Sequence, residues 1–216
     1  MNNEHPSGAL ANHNLISCID NLSLQDFDDL TDCTRLATTS ADLAHNRFAS
    51  TDLWMEEYAV TLGFLGWTLH ENAIRTRKRT NINGSIAEHL VRSAEISRDP
   101  QQGNAMIDTL DALRSDKPAL FSLDNESVMG RRFQVAPVRY DAKGDLHMAL
   151  FNLELVANVT KSSFLFWSWQ EQSATLLQRS AFFKLDRQRL HSQRPLIEKR
   201  LRDITTQRFA LRKKRS

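Results

Sequence analysis

The residues best suited to chemistry by type and spacing are three aspartates early in the chain. Asp28, Asp29 and Asp32 form a DDxxD pattern. On a helix, carboxylates at these spacings can bridge Mg²⁺ ions that hold a diphosphate. A second metal motif is absent from the sequence, and Thr31 and Thr34 beside the aspartates favour a cap or a turn. We therefore predict an acidic helix start, with no metal and no cofactor.

The histidines do not complete a catalytic motif. His70 and Glu71 begin like the zinc-protease pattern HExxH, but Ile74 stands where the second histidine is required. Glu88 and His89 could form an acid–base pair with His70 only if the fold brought them together. The sequence also lacks a GxSxG elbow, a P-loop, a GxGxxG loop and a CxxC pair. We predict no catalytic residue, identify no small-molecule substrate and favour a protein that is not an enzyme.

The two cysteines are expected to be reduced thiols. Cys18 and Cys33 are too few for a disulfide framework, and their spacing does not match paired zinc ligands. Neither lies near a histidine or a basic cluster in the sequence, so neither is predicted to be a nucleophile. His147 alternates with Leu146 and Met148, so it is expected on a strand as a surface or core residue.

Charge is distributed unevenly along the chain, although the formal net charge is only +2. Residues 1–57 hold ten acidic and two basic side chains, whereas residues 187–216 hold eleven basic and two acidic ones. The two ends could complement each other within or between chains, the basic end could bind a polyanion, or it could be a solvated face. The residues predicted to bind a partner or a polyanion are Arg194, Lys199, Arg200, Arg202, Arg208, Arg212, Lys213, Lys214 and Arg215.

The aromatic segment FLFWSW at residues 164–169 is the most unusual stretch of the sequence. A strand that is apolar on both faces usually lies at the centre of a covered sheet, which is the favoured interpretation. The alternative is an interface for a protein partner or a membrane surface, where tryptophan is well suited. The apolar stretch at residues 59–69 leaves the same alternative open. The candidate interface aromatics are Phe164, Phe166, Trp167 and Trp169.

The first half of the chain predicts helices. Apolar spacing suits a helix at the start of residues 15–43. Residues 53–79 predict the main buried helix, capped by Asp52 and ending in a run of bases that suits a helix C-terminus. Two shorter helices are predicted over residues 85–98 and 104–114.

The second half predicts an antiparallel meander of about four strands. Two apolar runs at residues 133–140 and 146–159 flank the turn formers DAKGD, which is typical of a β-hairpin. Pro137 predicts that the first of these strands is a sheet edge or carries a bulge. Further strands are predicted over residues 164–169 and 174–185.

Together these elements predict an α+β fold with N-terminal helices, an antiparallel β-meander and a kinked basic C-terminal helix. That last helix is expected to begin at the cap Asp186, to turn at Leu190 and to be kinked by Pro195. The chain is expected to be one compact domain. Its predicted regions are a flexible tail at 1–14, a helical region at 15–117, an antiparallel β region at 118–185 and a basic helix at 186–216.

The N-terminus lacks the basic start and apolar core of a secretory signal, and no apolar stretch reaches the roughly 20 residues of a membrane span. We expect a cytoplasmic location, with leaderless export as an alternative.

These observations favour a non-enzymatic interaction or assembly protein. It would bind a protein partner, or itself as a homo-oligomer, through the basic helix and the aromatic strand. The first alternative is a membrane-active effector or toxin-like protein, for which an acidic membrane surface is the partner. The further alternatives are a nucleic-acid-binding protein and an enzyme without recognisable motifs.

Overall fold

The protein is a mixed α and β chain. The structure is a computed structural model, and it describes residues 8–11, 14–18, 22–70, 74–80, 132–156 and 175–213. Within these ranges the chain forms three helices and a seven-stranded, mostly antiparallel sheet. The helices are α1 (Leu24–Ala44), α2 (Thr51–Phe64) and α3 (Arg187–Lys213). The strands are β1 (Gly8–Ala11), β2 (Asn14–Cys18), β3 (Trp67–Leu69), β4 (Arg75–Thr80), β5 (Arg132–Tyr140), β6 (Leu146–Val156) and β7 (Thr175–Leu185).

The strand order is β1-β2-β5-β6-β7-β3, and β4 also pairs with β7. Strands β2 and β5 run parallel, whereas the β1–β2, β4–β7 and β5–β6 pairs are antiparallel. The chain divides into two compact units. The first unit contains Met1–Ser23 and His70–Phe183, and the second contains Leu24–Leu69 and Lys184–Ser216. The first unit therefore holds most of the sheet, and the second holds all three described helices.

In the first unit, β5 and β6 form the hairpin that the turn formers predict. The strands pair from Tyr140 opposite Leu146 outward. One carboxylate organises the connection, because the backbone N–H groups of Lys143 and Asp145 donate to Asp141 Oδ1 at 2.8 and 2.9 Å. Gly144 adopts a φ of +80°, a conformation that glycine enters without steric cost.

The prediction that Pro137 lies on an edge strand is wrong. Strand β5 lies between β2 and β6, and Pro137 stands opposite Ser17 of the parallel strand β2. The register between β5 and β6 is the same on both sides of Pro137, so no residue is inserted as a bulge. The fold tolerates the proline in a central strand by interrupting the pairing with β6 at residues 136 and 137.

The helix predicted from residue 15 is also wrong, because Asn14–Cys18 form the buried strand β2. A short apolar run does not distinguish a helix from a fully covered strand, and pairing on both edges decides the outcome here. A buried amide contact supports the register, since Gln134 Nε2 of β5 donates to Asn14 Oδ1 at 2.7 Å. Strand β1 lies within the segment that the sequence predicts to be a flexible tail.

In the second unit, α1 and α2 pack together around a buried aromatic pair. The rings of Trp54 and Tyr58 on α2 stack with centroids 5.2 Å apart, and both side chains are fully buried. Trp54 Nε1 donates to Asp42 Oδ1 of α1 at 2.8 Å. A second contact joins the same helices, because Ser40 Oγ donates to Glu57 Oε1 at 2.8 Å. These contacts fix α2 against α1.

The long helix predicted over residues 53–79 is wrong beyond Phe64. The observed helix α2 begins at Thr51, one residue before the predicted cap Asp52. It ends at Phe64, just before Gly66 adopts a φ of +107°. This left-handed conformation breaks the helix and turns the chain into β3. The basic run that suits a helix C-terminus forms β4 instead, because each of its residues pairs with β7.

Helix α3 begins as predicted. Asp186 caps it, since Asp186 Oδ1 accepts a hydrogen bond from the N–H of Arg189 at 3.0 Å. The predicted turn at Leu190 is wrong, because that residue is buried inside the helix and its N–H donates to the carbonyl of Asp186. Pro195 also lies inside the helix.

Three predicted elements lie outside the described residues: the helices over 85–98 and 104–114 and the aromatic strand over 164–169. Among the helices that the structure describes, none combines the length and apolar character that crossing a membrane requires.

Candidate interaction surface

Two arginine–aspartate pairs attach α3 to α1 in the second unit. Both guanidinium NH groups of Arg187 donate to the carboxylate of Asp26, one of them at 3.0 Å to Oδ2. Arg194 binds Asp29 in the same two-pronged manner, at 3.1 Å from Nε to Oδ1 and 2.6 Å from NH2 to Oδ2. The carboxylates are nearly buried, at 5% and 8% exposure. Paired, charge-assisted hydrogen bonds of this geometry are among the strongest in proteins.

Apolar side chains complete this attachment. Leu190 and Ile197 are buried, and they alternate with the two arginines at helical spacings of three and four residues. Arg187, Leu190, Arg194 and Ile197 therefore form one stripe, which we call the α3 anchor. Arg194 is among the residues predicted to bind a partner, and the structure engages it with α1. The hydrogen bond to Asp29 also raises the pKa of Arg194.

The opposite side of α3 carries exposed bases, which we call the basic face: Lys199, Arg200 and Arg202. Lys199 lies half a turn around the helix from Leu190 and Ile197. The acidic residues Glu198 and Asp203 are interspersed with these bases and are also exposed. The remaining predicted residues lie further along. The last turns of α3 include Arg208, Arg212 and Lys213. The described residues end before Lys214 and Arg215.

Helix α2 presents an apolar stripe that the sequence analysis missed. Leu53, Val60 and Phe64 are 50%, 67% and 50% exposed, and their spacing of seven and four residues puts them on one side of the helix. The acidic residues Asp52 and Glu56 are exposed as well. The sequence pattern is apolar nearly all round, which predicts complete burial. The signal in the sequence for exposure was the presence of these acids between the apolar positions.

Strand β4 is a second surface that the sequence analysis missed. Its sequence is RTRKRT, and five of its six residues are exposed while Arg79 is partly exposed. The signal in the sequence was the pair of threonines, Thr76 and Thr80, since threonine favours strands over helices.

The candidate chemical groups remain dispersed or engaged. Asp29 is bound to Arg194, and Asp28 is exposed. Burial raises the pKa of Asp32. Among the described residues, no three histidine, cysteine or acidic side chains are arranged to hold a metal ion.

His70 and His147 lie far from these acids in the sequence, whereas Cys33 directly follows Asp32. His147 Nε2 lies 3.2 Å from Asp141 Oδ2 in the hairpin connection. His70 is exposed, and His89 lies outside the described residues. Both cysteines are free and buried. Burial raises the pKa of Cys18 to about 11 and that of Cys33 to about 12, which keeps both thiols protonated at neutral pH.

Comparison with models of known protein families finds no match to this chain, and a search among curated proteins finds none either. The surfaces themselves are therefore the basis for a functional conclusion. The described part of the chain offers an anchored helix with an exposed basic face, an apolar stripe next to acids, and an exposed basic strand. These arrangements suit recognition by charge, and the stripe of α2 also suits apolar contact.

Proposed function

We propose that this protein is a non-enzymatic interaction or assembly protein that uses α3 to bind a protein partner or a second copy of itself. The observation that carries the proposal is that two sides of α3 have different environments. The α3 anchor holds the helix on α1 through Arg187 and Arg194, while the basic face is directed to solvent. A rigidly held helix can bind a partner without first losing conformational freedom, which favours affinity.

The apolar stripe of α2 supports a second copy as the partner. Leu53, Val60 and Phe64 are apolar and exposed, with the acids Asp52 and Glu56 beside them. A basic helix from another copy complements this surface in charge. Because each copy carries both surfaces, two chains related by a two-fold axis can form the contact twice.

Sedimentation velocity across a salt series tests this proposal. The wild-type chain should shift toward dimer as salt is lowered, because the contact depends on charge. Replacing the basic face by glutamine (Lys199→Gln, Arg200→Gln and Arg202→Gln together) should weaken self-association by about 1–2 kcal/mol, roughly 5- to 30-fold. Arg189→Gln is the control, because Arg189 is an exposed base on the same helix, ten residues before Lys199. A monodisperse monomer at every salt concentration contradicts self-association.

Affinity capture from the native host separates self-association from binding to another protein. The full chain is compared with a truncation ending at Gln207, which keeps the whole α3 anchor. A partner lost on truncation places the interface on the C-terminal bases, Arg208, Arg212, Lys213, Lys214 and Arg215. Equal capture by both forms places the interface on residues that the truncation keeps, either the basic face of α3 or the aromatic candidates Phe164, Phe166, Trp167 and Trp169.

Further features belong to the same proposal. We infer that residues 164–169 add another strand to the meander, and that Pro195 kinks α3 because it removes a backbone hydrogen bond. We also infer a cytoplasmic location, with which two free cysteines are consistent.

The second candidate function is that of a membrane-active effector, which acts on lipid and not on a protein partner. It requires residues 59–69 to act together, whereas this segment is divided between α2 and β3. Four of its side chains are buried: Ala59, Leu62, Leu65 and Trp67. Release of dye from anionic vesicles by the purified chain would favour this alternative over assembly.

A further inference from the structure

We propose that β4 is a binding site for the phosphate backbone of nucleic acid, separate from the basic face of α3. Strand β4 runs from Arg75 to Thr80 and carries four bases and no acid within six residues. Three of these bases carry the proposal: Arg77, Lys78 and Arg79. We call them the basic strand residues. The inference is independent of the proposed assembly through α3.

The charge of β4 is not balanced by its neighbour in the sheet. The register places Arg77 opposite Gln178, Lys78 opposite Leu177 and Arg79 opposite Leu176. None of the residues of β7 that face β4 is acidic. They are Thr175, Leu176, Leu177, Gln178, Arg179 and Ser180.

The nearest base on β7 is already neutralised. Arg179, opposite Thr76, is 8% exposed and donates to Glu154 of β6 at 3.3 Å. That carboxylate is itself only 12% exposed, so β6 and β7 form their own ion pair beneath the surface. Among the described residues that pair with β4, no acidic side chain offsets its positive charge, and this charge favours an anionic ligand.

The geometry of a strand suits a repeating polyanion. Side chains alternate between the two sides of a strand, so Arg77 and Arg79 share one side, about 6.6 Å apart, and Lys78 lies on the other. Thr76 and Thr80 add exposed hydroxyl groups that can donate to phosphate oxygens. The strand contains no aromatic side chain on which bases could stack, so binding should be independent of sequence.

Two other roles for the bases of β4 are protection of the sheet against aggregation and binding to an anionic membrane. Bases on a strand can protect a sheet against edge-to-edge aggregation, which needs no ligand. An anionic membrane would also attract the charge, but β4 offers no apolar side chain to enter the lipid interface. Nucleic acid is favoured because its phosphate contacts are satisfied by bases and hydroxyl groups alone.

The salt dependence of binding gives a quantitative test. If Arg77 and Arg79, which share one side of β4, each neutralise one phosphate of duplex DNA, the slope of log affinity against log salt should be about −1.8. Between about 50 and 200 mM salt, the affinity should then fall roughly 12-fold. We would measure it by fluorescence anisotropy with a short labelled DNA duplex of random sequence.

Matched variants identify the site. The β4 variant replaces Arg77, Lys78 and Arg79 by glutamine, and the control removes three charges from the basic face of α3. The β4 variant should lose binding and most of the salt slope, and the control should keep both. Circular dichroism checks that each variant is folded. Should the triple variant unfold, Arg77→Gln alone should make the slope shallower by about 0.9.

Several outcomes would overturn the inference. One is no binding of the wild-type chain to DNA at about 50 mM salt, which would leave protection of the sheet as the role of β4. Another is loss of binding in the α3 control with no loss in the β4 variant. A third is binding to vesicles of phosphatidylcholine and phosphatidylserine without binding to DNA, which would identify a membrane surface as the ligand.

Discussion

A single methyl group at Gly66 should destabilise the second unit severely. Gly66 has a φ of +107°, and its carbonyl accepts the N–H of Asp186 at 2.8 Å, immediately before α3. A Cβ at this position would lie 2.9 Å from the backbone N of Leu190 and 3.0 Å from the backbone O of Asp186. Both atoms belong to the capped first turn of α3. The Gly66→Ala substitution must therefore displace α3 or distort the backbone at residue 66.

The expected cost has two parts. Adopting a positive φ costs an L-residue about 1–2 kcal/mol. Forcing a methyl group into a well-packed position costs about 1–3 kcal/mol more. The sum of about 2–5 kcal/mol is a large share of the 5–15 kcal/mol by which domains are usually stable.

Urea unfolding of three alanine variants separates these parts. Gly144→Ala meets nothing within 4 Å but has a φ of +80°, so it should cost only the first part. Gly63→Ala lies in α2, also with nothing within 4 Å, and should stabilise by about 0.5–1 kcal/mol. If Gly66→Ala costs no more than Gly144→Ala, the approach of Gly66 to α3 is not rigid and the reasoning fails.

Three further predictions concern single side chains. Cys33 should resist thiol reagents such as Ellman's reagent in the native protein and react only on unfolding, because burial raises its pKa to about 12. The backbone N–H of Asp145 lowers the pKa of Asp141, so this carboxylate supports the fold until the pH falls through that lowered pKa. The difference in Tm between wild type and Asp141→Asn should therefore shrink at acidic pH. Arg194→Gln leaves the carboxylate of Asp29, which is 8% exposed, without its cation. This substitution should lower the free energy of unfolding in urea by about 1.5–3 kcal/mol, whereas Arg189→Gln should change it little.

Local signals in the sequence predicted the local parts of the fold. The DAKGD turn specified the β5–β6 hairpin because its strands are adjacent in the chain and one residue, Asp141, organises the connection. The helix cap at Asp186 could likewise be predicted from the sequence, because its hydrogen-bond partner Arg189 is only three residues away. In both cases the interacting groups are neighbours in sequence.

Elements that depend on distant partners were not predictable in this way. The bases of β4 are compatible with a helix C-terminus, and only pairing with β7, about a hundred residues later, makes them a strand. Residues 14–18 likewise become a strand through β5. Long-range pairing of this kind overrides local preference.

The candidate surface was predictable only in part. The opposed charges of the two ends were evident, and the sequence allowed them to complement each other within the chain. It did not identify which bases do so. Arg194 and Asp29 are 165 positions apart, so no sequence pattern links them. The exposure of Leu53, Val60 and Phe64 had a local signal, the acidic residues Asp52 and Glu56, but the largely apolar pattern of α2 outweighed it.

The second unit is assembled from two segments that are distant in the chain, 24–69 and 184–216. A ribosome that adds about 5–20 residues per second needs roughly 6–23 seconds to pass from the end of the first segment to the start of the second. Throughout that delay the α1–α2 hairpin has no α3 beside it. Asp26 and Asp29 can pair with α3 only after Arg187 and Arg194 are synthesised, and until then water can hydrate both carboxylates.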